Sequence, residues 1–133
     1  MILVDTSVWI EFFNGTGALA ARALEDLLEG EEDLCISEFI LAEVLQGFRK
    51  DADFDLARNH LLRFPIYSLK TPESYISAAQ IYRKCRKRGI TIRKTVDCMI
   101  AQTAIEYKLA LLHNDSDFDR IAKASPLTIF FSA

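Results

Sequence analysis

Ile2-Leu3-Val4-Asp5-Thr6-Ser7-Val8-Trp9-Ile10 opens the chain with three large aliphatic residues that stop on a carboxylate and pass at once into helical spacing. Such a run predicts a buried strand whose last side chain is delivered to a helix-capping turn. In an α/β fold, an acid at that point stands where ligands bind, outside the carboxyl end of a central strand.

Working outward, strands and helices alternate. Val8, Trp9, Phe12 and Phe13 recur at helical spacing, with Trp9 expected in the core, and Asn14-Gly15 closes the segment in a turn. A helix is predicted over 18–28, a second strand over 33–36, and a helix from an N-cap at Ser37 through Arg49. A helix over 53–63 and a weak strand over 65–68 follow. Thr71-Pro72 starts a helix that Gly89 stops, Thr95 caps the next over 96–108, and 109–113 is the clearest later strand. A short helix through Lys123 and a strand over 127–131 complete an α/β pattern with a mostly parallel sheet covered on both faces.

The 133 residues suffice for one domain, 1–133, with a core of its own, and 50% hydrophobic with 26% charged residues is globular composition. Cys35, Cys85 and Cys98 are odd in number and far apart, which suggests neither a disulfide framework nor a thiolate metal site and fits a reducing cytoplasm. No signal peptide and no 18-residue apolar run is seen, so no membrane partner is expected. The net charge is −3, but it is segregated: Arg83, Lys84, Arg86, Lys87, Arg88, Arg93 and Lys94 fall within twelve positions with no acid among them. A local basic surface can attract a polyanion while the body stays acidic. The alternative is a solvated helix end whose cations suit the macrodipole.

Asp5 and Asp115 both follow apolar strands and would project from one edge of a parallel sheet. Glu43 lies beside the apolar arc of its helix, a turn from Gly47, and Asp97 flanks the Val96, Ile100, Thr103 and Tyr107 face of another. Each has a bland alternative: a surface glutamate for Glu43, with Glu38 as a competitor, a first-turn dipole partner for Asp97, and a turn former for Asp115. Together they would repel by roughly 4 kcal/mol per close pair at an effective dielectric near 20, so something cationic must offset them. No Lys or Arg pattern obviously points at the cluster, and oxygen-only ligands suit Mg²⁺ or Mn²⁺, ions that serve phosphodiester hydrolysis.

Four blocks in order then carry a resemblance: Leu3–Ile10, Ser37-Glu38-Phe39-Ile40-Leu41-Ala42-Glu43-Val44-Leu45-Gln46-Gly47, Thr95-Val96-Asp97-Cys98-Met99-Ile100-Ala101 and Leu111-Leu112-His113-Asn114-Asp115-Ser116-Asp117-Phe118. Over essentially its full length the chain resembles PIN-domain ribonucleases, specifically the VapC toxins of VapBC toxin–antitoxin pairs. The resemblance implies a PIN-like three-layer α/β/α sandwich with a five-stranded sheet, a homodimer, and a Mg²⁺- or Mn²⁺-dependent endoribonuclease toxin. It implies an acidic pocket of Asp5, Glu43, Asp97 and Asp115, metal held by Asp5, Asp97 and Asp115 with Asp117 a further ligand or supporting acid, and help from Ser7 and Thr6. It also implies a VapB-type antitoxin whose tail blocks the acids. Ser116 stands where the family usually has a basic residue, a departure at the rim. The seven basic residues of 83–94 are expected to guide RNA phosphates. The chain length favours a stand-alone toxin over a large processing nuclease.

Two rivals use the same acids. Phosphatases and phosphotransfer domains commonly place a second Asp two residues after the first, where this chain has Ser7. A catalytically silent PIN-like module that binds RNA or protein would not need all four acids. A calcium loop at Asp115, Asp117 and Asp119 is excluded, because Arg120 stands where glycine is needed and Pro126 where glutamate is. His113 is expected at the pocket rim or packed at a strand end.

Overall fold

The computed structural model describes residues 1–131; the expected domain runs two residues beyond them. In chain order the elements are β1 (Ile2–Val4), α1 (Thr6–Phe13), α2 (Leu19–Glu29), β2 (Leu34–Ser37), α3 (Glu38–Gln46), α4 (Asp51–Leu61), β3 (Ile66–Tyr67), α5 (Pro72–Lys87), α6 (Thr95–Glu106), β4 (Ala110–Leu112), α7 (Ser116–Ala124) and β5 (Thr128–Ile129). The five strands form one sheet in the order β3-β2-β1-β4-β5, and every pairing is parallel. β1 is central, with Leu3 paired to Cys35 on one side and Leu111 on the other. All three of its residues are buried, as expected of a strand covered on both faces.

Strand order fixes the layers. The chain moves from β1 outward to β2 and β3, then returns past β1 to β4 and β5, so right-handed crossovers place α1–α4 over one face and α5–α7 over the other. Packing agrees: α1 lies on α2 and α3, α3 on α4, and α5 on both α6 and α7. The reversal falls between β1 and β4, where such sheets open a crevice at their carboxyl ends. There α3 and α6 also touch.

The predicted elements are all present, with shifted ends. α1 begins at Thr6, directly after the strand as expected, with Asp5 itself the N-cap, its side chain accepting from the Ser7 N–H. α3 ends at Gln46, not Arg49: the Gly47 and Phe48 N–H groups turn back to the carbonyls of Val44 and Leu45, tightening the last turn. α4 starts two residues earlier than expected, with Asp51 and Asp53 in its first turn. Thr95 is the first residue of α6 and does not cap it; Lys94 holds that position without a side-chain bond. Trp9 is fully buried and donates from Nε1 to the Val4 carbonyl at 3.2 Å, rooting α1 against β1. Among the described residues no helix is long and apolar enough to cross a membrane.

One turn matters for the site. α5 stops at Arg88, and Gly89 adopts φ +76°, with the N–H groups of Gly89 and Ile90 bonded to the carbonyls of Arg86 and Cys85. This left-handed cap and the buried Ile92 fix the path of the loop that carries Arg93 and Lys94 into α6.

Candidate active site

Each acid is delivered by a different element end. Asp5 leaves β1 and is 4% exposed; its Oδ2 accepts from the Ser7 N–H at 3.0 Å and the Ser7 hydroxyl at 2.6 Å. The same hydroxyl accepts the Asn114 N–H at 2.9 Å, tying the end of β1 to the segment after β4. Asp115 caps α7, its Oδ1 accepting from the Asp117 N–H at 3.0 Å, and its own N–H donates to His113 Nδ1 at 3.1 Å. His113 therefore carries its proton on Nε2 when neutral and can donate to Asp119, 3.1 Å away. Its ring packs on Phe118, so it steadies the Asp115 turn as well as bordering it.

Glu43 comes from α3 and is held by the Thr6 hydroxyl, which donates to its Oε1 at 2.8 Å. Glu38, the competitor on the same helix, takes a bond from the Ser68 hydroxyl instead and lies on an exposed face. Asp97 projects from the first turn of α6, 2% exposed, and its Oδ2 is buried without a hydrogen-bond partner. Burying an unpaired carboxylate oxygen is costly. Burial pushes the Asp97 carboxyl up to about 7; Lys94 opposes the rise, while Asp5, Asp115 and Glu43 add to it. Burial also raises Asp5, against the bonds from Ser7 and with help from Glu43. Asp97 thus feels the charge of the other three acids.

The cations differ from expectation: two members of the basic run point into the acids. Lys94 Nζ stands 3.9 Å from Glu43 Oε2 and 3.8 Å from Asp97 Oδ1. Arg93 donates from Nε to Asp117 Oδ2 at 3.1 Å and from Nη2 to Asp115 Oδ1 at 3.3 Å. Arg120 reaches the other Asp117 oxygen at 3.3 Å. The spacings Lys94 to Asp97 and Asp117 to Arg120, three apart at helix starts, were the available signal for these pairs. The remaining basic residues, Arg83, Lys84, Arg86, Lys87 and Arg88, stay on the end of α5. There Arg83 bonds Gln80, Arg86 lies over the Tyr82 ring, and Arg88 reaches the Lys123 carbonyl. Lys84, Arg86 and Lys87 occupy the last helical turn, where cations suit the dipole.

Oxygens of Asp97, Asp115 and Asp117 lie within 4.8 Å of one another, close enough to share an ion. The donor set is all carboxylate, and one of its oxygens is orphaned, so the site fits a hard divalent cation. Asp117 meets the distance test, but it is fully buried with both oxygens taken by arginines, which suits it to holding Arg93 rather than to ligation. A cavity of about 390 Å³ bordered by Arg93, Lys94 and Asp115 opens over the cluster. The larger cleft, about 620 Å³ and lined by Phe13, Phe48, Leu56 and His60, lies between α1 and α4 and lacks such a cluster.

The sequence matches the family model of the PIN domain over residues 2–124. It is 36% identical to ribonuclease VapC11 of Mycobacterium tuberculosis and to VapC ribonuclease Mb1587 of Mycobacterium bovis, over 96% of each chain. The chain belongs to the PIN-domain family, among the VapC ribonucleases. Its fold agrees with the crystal structure of VapBC2 from Rickettsia felis bound to a DNA fragment from its promoter, with a TM-score of 0.76 at 20% identity and 98% coverage of both chains. In this PIN domain the acids gather at the reversal point of the sheet, where the strand order alone would have placed a ligand site.

Proposed function

We propose that this PIN domain is a Mg²⁺- or Mn²⁺-dependent endoribonuclease that a small VapB-type antitoxin neutralises. The observation that carries the reading is a convergence at the carboxyl end of the sheet, where Asp97 and Asp115 oxygens come within 4.8 Å of each other, Glu43 and Asp97 flank Lys94, Ser7 ties Asp5 to the Asn114 backbone, and a buried Asp97 oxygen is left unpaired. The VapC relatives supply the substrate class, RNA, and the VapBC complexes the kind of partner. The same reading makes it a cytoplasmic homodimer, in keeping with three unpaired, buried cysteines.

Asp97 and Asp115, with Asp5 beside them, would hold the ion. When bound, it supplies an activated water and a clamp on the phosphoryl oxygens. The protein's own groups do the rest. Ser7 fixes the Asp5 carboxylate by two bonds, so its orientation is set before substrate arrives. Glu43, aimed by Thr6, stands at the pocket with 19% side-chain exposure, able to take a proton from the attacking water. Arg93 and Lys94 line the mouth and offer charge to a backbone phosphate, with the exposed α5 cations as a more distant guide.

RNA cleavage by wild type, Asp5→Asn and Asp97→Asn, with and without Mg²⁺ or Mn²⁺ and alongside growth on induction, tests this. Metal-dependent cleavage lost in both variants is expected. Cleavage that survives chelation, or is unchanged in both variants, overturns the mechanism. Growth arrest without any cleavage would instead favour the silent binding module.

A further inference from the structure

The acid pocket already contains a cation of the protein's own. The Lys94 ammonium lies almost equally far from Glu43 and Asp97, at 3.9 and 3.8 Å, and within hydrogen-bond range of neither. It is held by charge between two carboxylates rather than by directed bonds. Its side chain is 54% exposed, so only the head dips into the pocket and withdrawal needs a rotamer change alone. Arg93 is anchored differently, because its Nε is bonded at 3.1 Å to a fully buried carboxylate that Arg120 also holds. The backbone beneath both is fixed by the Gly89 turn and buried Ile92. Five acids, Asp5, Glu43, Asp97, Asp115 and Asp117, are thus met by three cations of unequal mobility.

We propose that Lys94 is a built-in, displaceable counter-cation of the acid pocket, which a divalent ion must eject from between Glu43 and Asp97 as it enters. The inference rests on the metal-binding reading of the pocket. Arg93 stays on Asp117 while Lys94 swings to the rim, so metal loading delivers one free ammonium to the face where an RNA phosphate approaches. The protein without metal is thereby spared part of the repulsion among its acids, and metal affinity is set by competition with Lys94.

Mn²⁺ titration by calorimetry, with thermal unfolding in parallel, tests this on wild type, Lys94→Gln, Lys94→Met and Lys87→Gln. Lys87 belongs to the same basic run but lies on α5 and makes no ion pair among the described residues. Both Lys94 variants should bind Mn²⁺ about fivefold more tightly, the worth of one exposed ion pair of ~1 kcal/mol. They should melt lower without metal and gain more on adding it, while Lys87→Gln matches wild type. Unchanged or weaker binding in the Lys94 variants overturns the proposal. Equal tightening by Lys87→Gln also overturns it, because overall charge would then explain the effect. If wild type binds no Mn²⁺, the metal reading itself falls; if it binds and the Lys94 variants do not differ, only the displacement does.

Discussion

Asp97→Asn should stabilise the metal-free protein at neutral pH and above, and by an amount that depends on pH. An unfolded aspartate has its pKa near 3.8, whereas burial pushes Asp97 up to about 7. Between those values the unfolded chain holds fewer protons at this position than the folded one, so stability falls as pH rises from about 4 and levels off above about 7. At roughly 1.36 kcal/mol per pKa unit, the ionised group costs the fold on the order of 4 kcal/mol at pH 8. Asparagine keeps the shape without the charge; an amide donor lacking a good acceptor gives back about 1–2 kcal/mol. A net gain of about 2 kcal/mol would raise Tm by about 7 °C for a chain of this size. Thermal unfolding in chelator at pH 4 to 8 is the assay, and the variant should start about 1 kcal/mol less stable than wild type at pH 4, where the amide penalty stands alone, draw level near pH 5 and lead by a margin that widens up to about pH 7. Saturating Mn²⁺ should close the gap by stabilising wild type alone. A variant less stable than wild type at pH 8, or a gap that ignores pH, would refute this account of Asp97.

Three other perturbations separate the parts of the site. Ser7→Ala removes the hydroxyl that joins Asp5 to the Asn114 backbone, and urea unfolding should show a loss of about 1–2 kcal/mol. Because Ser7 holds Asp5 down against its burial, metal affinity in this variant should weaken, and the loss should grow as the pH falls. Asp117→Asn releases Arg93 and Arg120 together and should lower the urea midpoint by the equivalent of about 1–3 kcal/mol with an unchanged slope. The double reversal Arg86→Glu and Lys87→Glu should weaken RNA binding and flatten its salt dependence, leaving Mn²⁺ affinity alone; no change in either would return these residues to a solvated helix end.

The acids were legible because their positions follow from local rules. Asp5 and Asp115 end apolar strands, and in a parallel sheet strand ends share an edge. Glu43 and Asp97 sit at the margins of apolar helical faces, and α3 and α6 bring those margins together. The basic run was visible as composition but not as geometry. Its division depends on the Gly89 turn and on Ile92 entering the core, which send Arg93 and Lys94 inward while Arg83 to Arg88 stay on the helix. Composition gives a loop residue no direction, so the counter-charge expected from outside the chain lies in part only three and four residues before Asp97, on Lys94 and Arg93. The ends of α3 and α6 shifted for a similar reason: backbone bonds beyond the last turn, and a lysine at the cap, outweighed the side-chain signals at Arg49 and Thr95.

The central claim is that these carboxylates form a divalent-metal site. Anomalous diffraction from a crystal soaked in Mn²⁺ addresses it directly. The account predicts one strong peak within ligand distance of Asp97 and Asp115 oxygens, with Asp117 still on its arginines and the peak absent from Asp97→Asn. No peak at the cluster, or a peak that persists there without the Asp97 carboxylate, would contradict it.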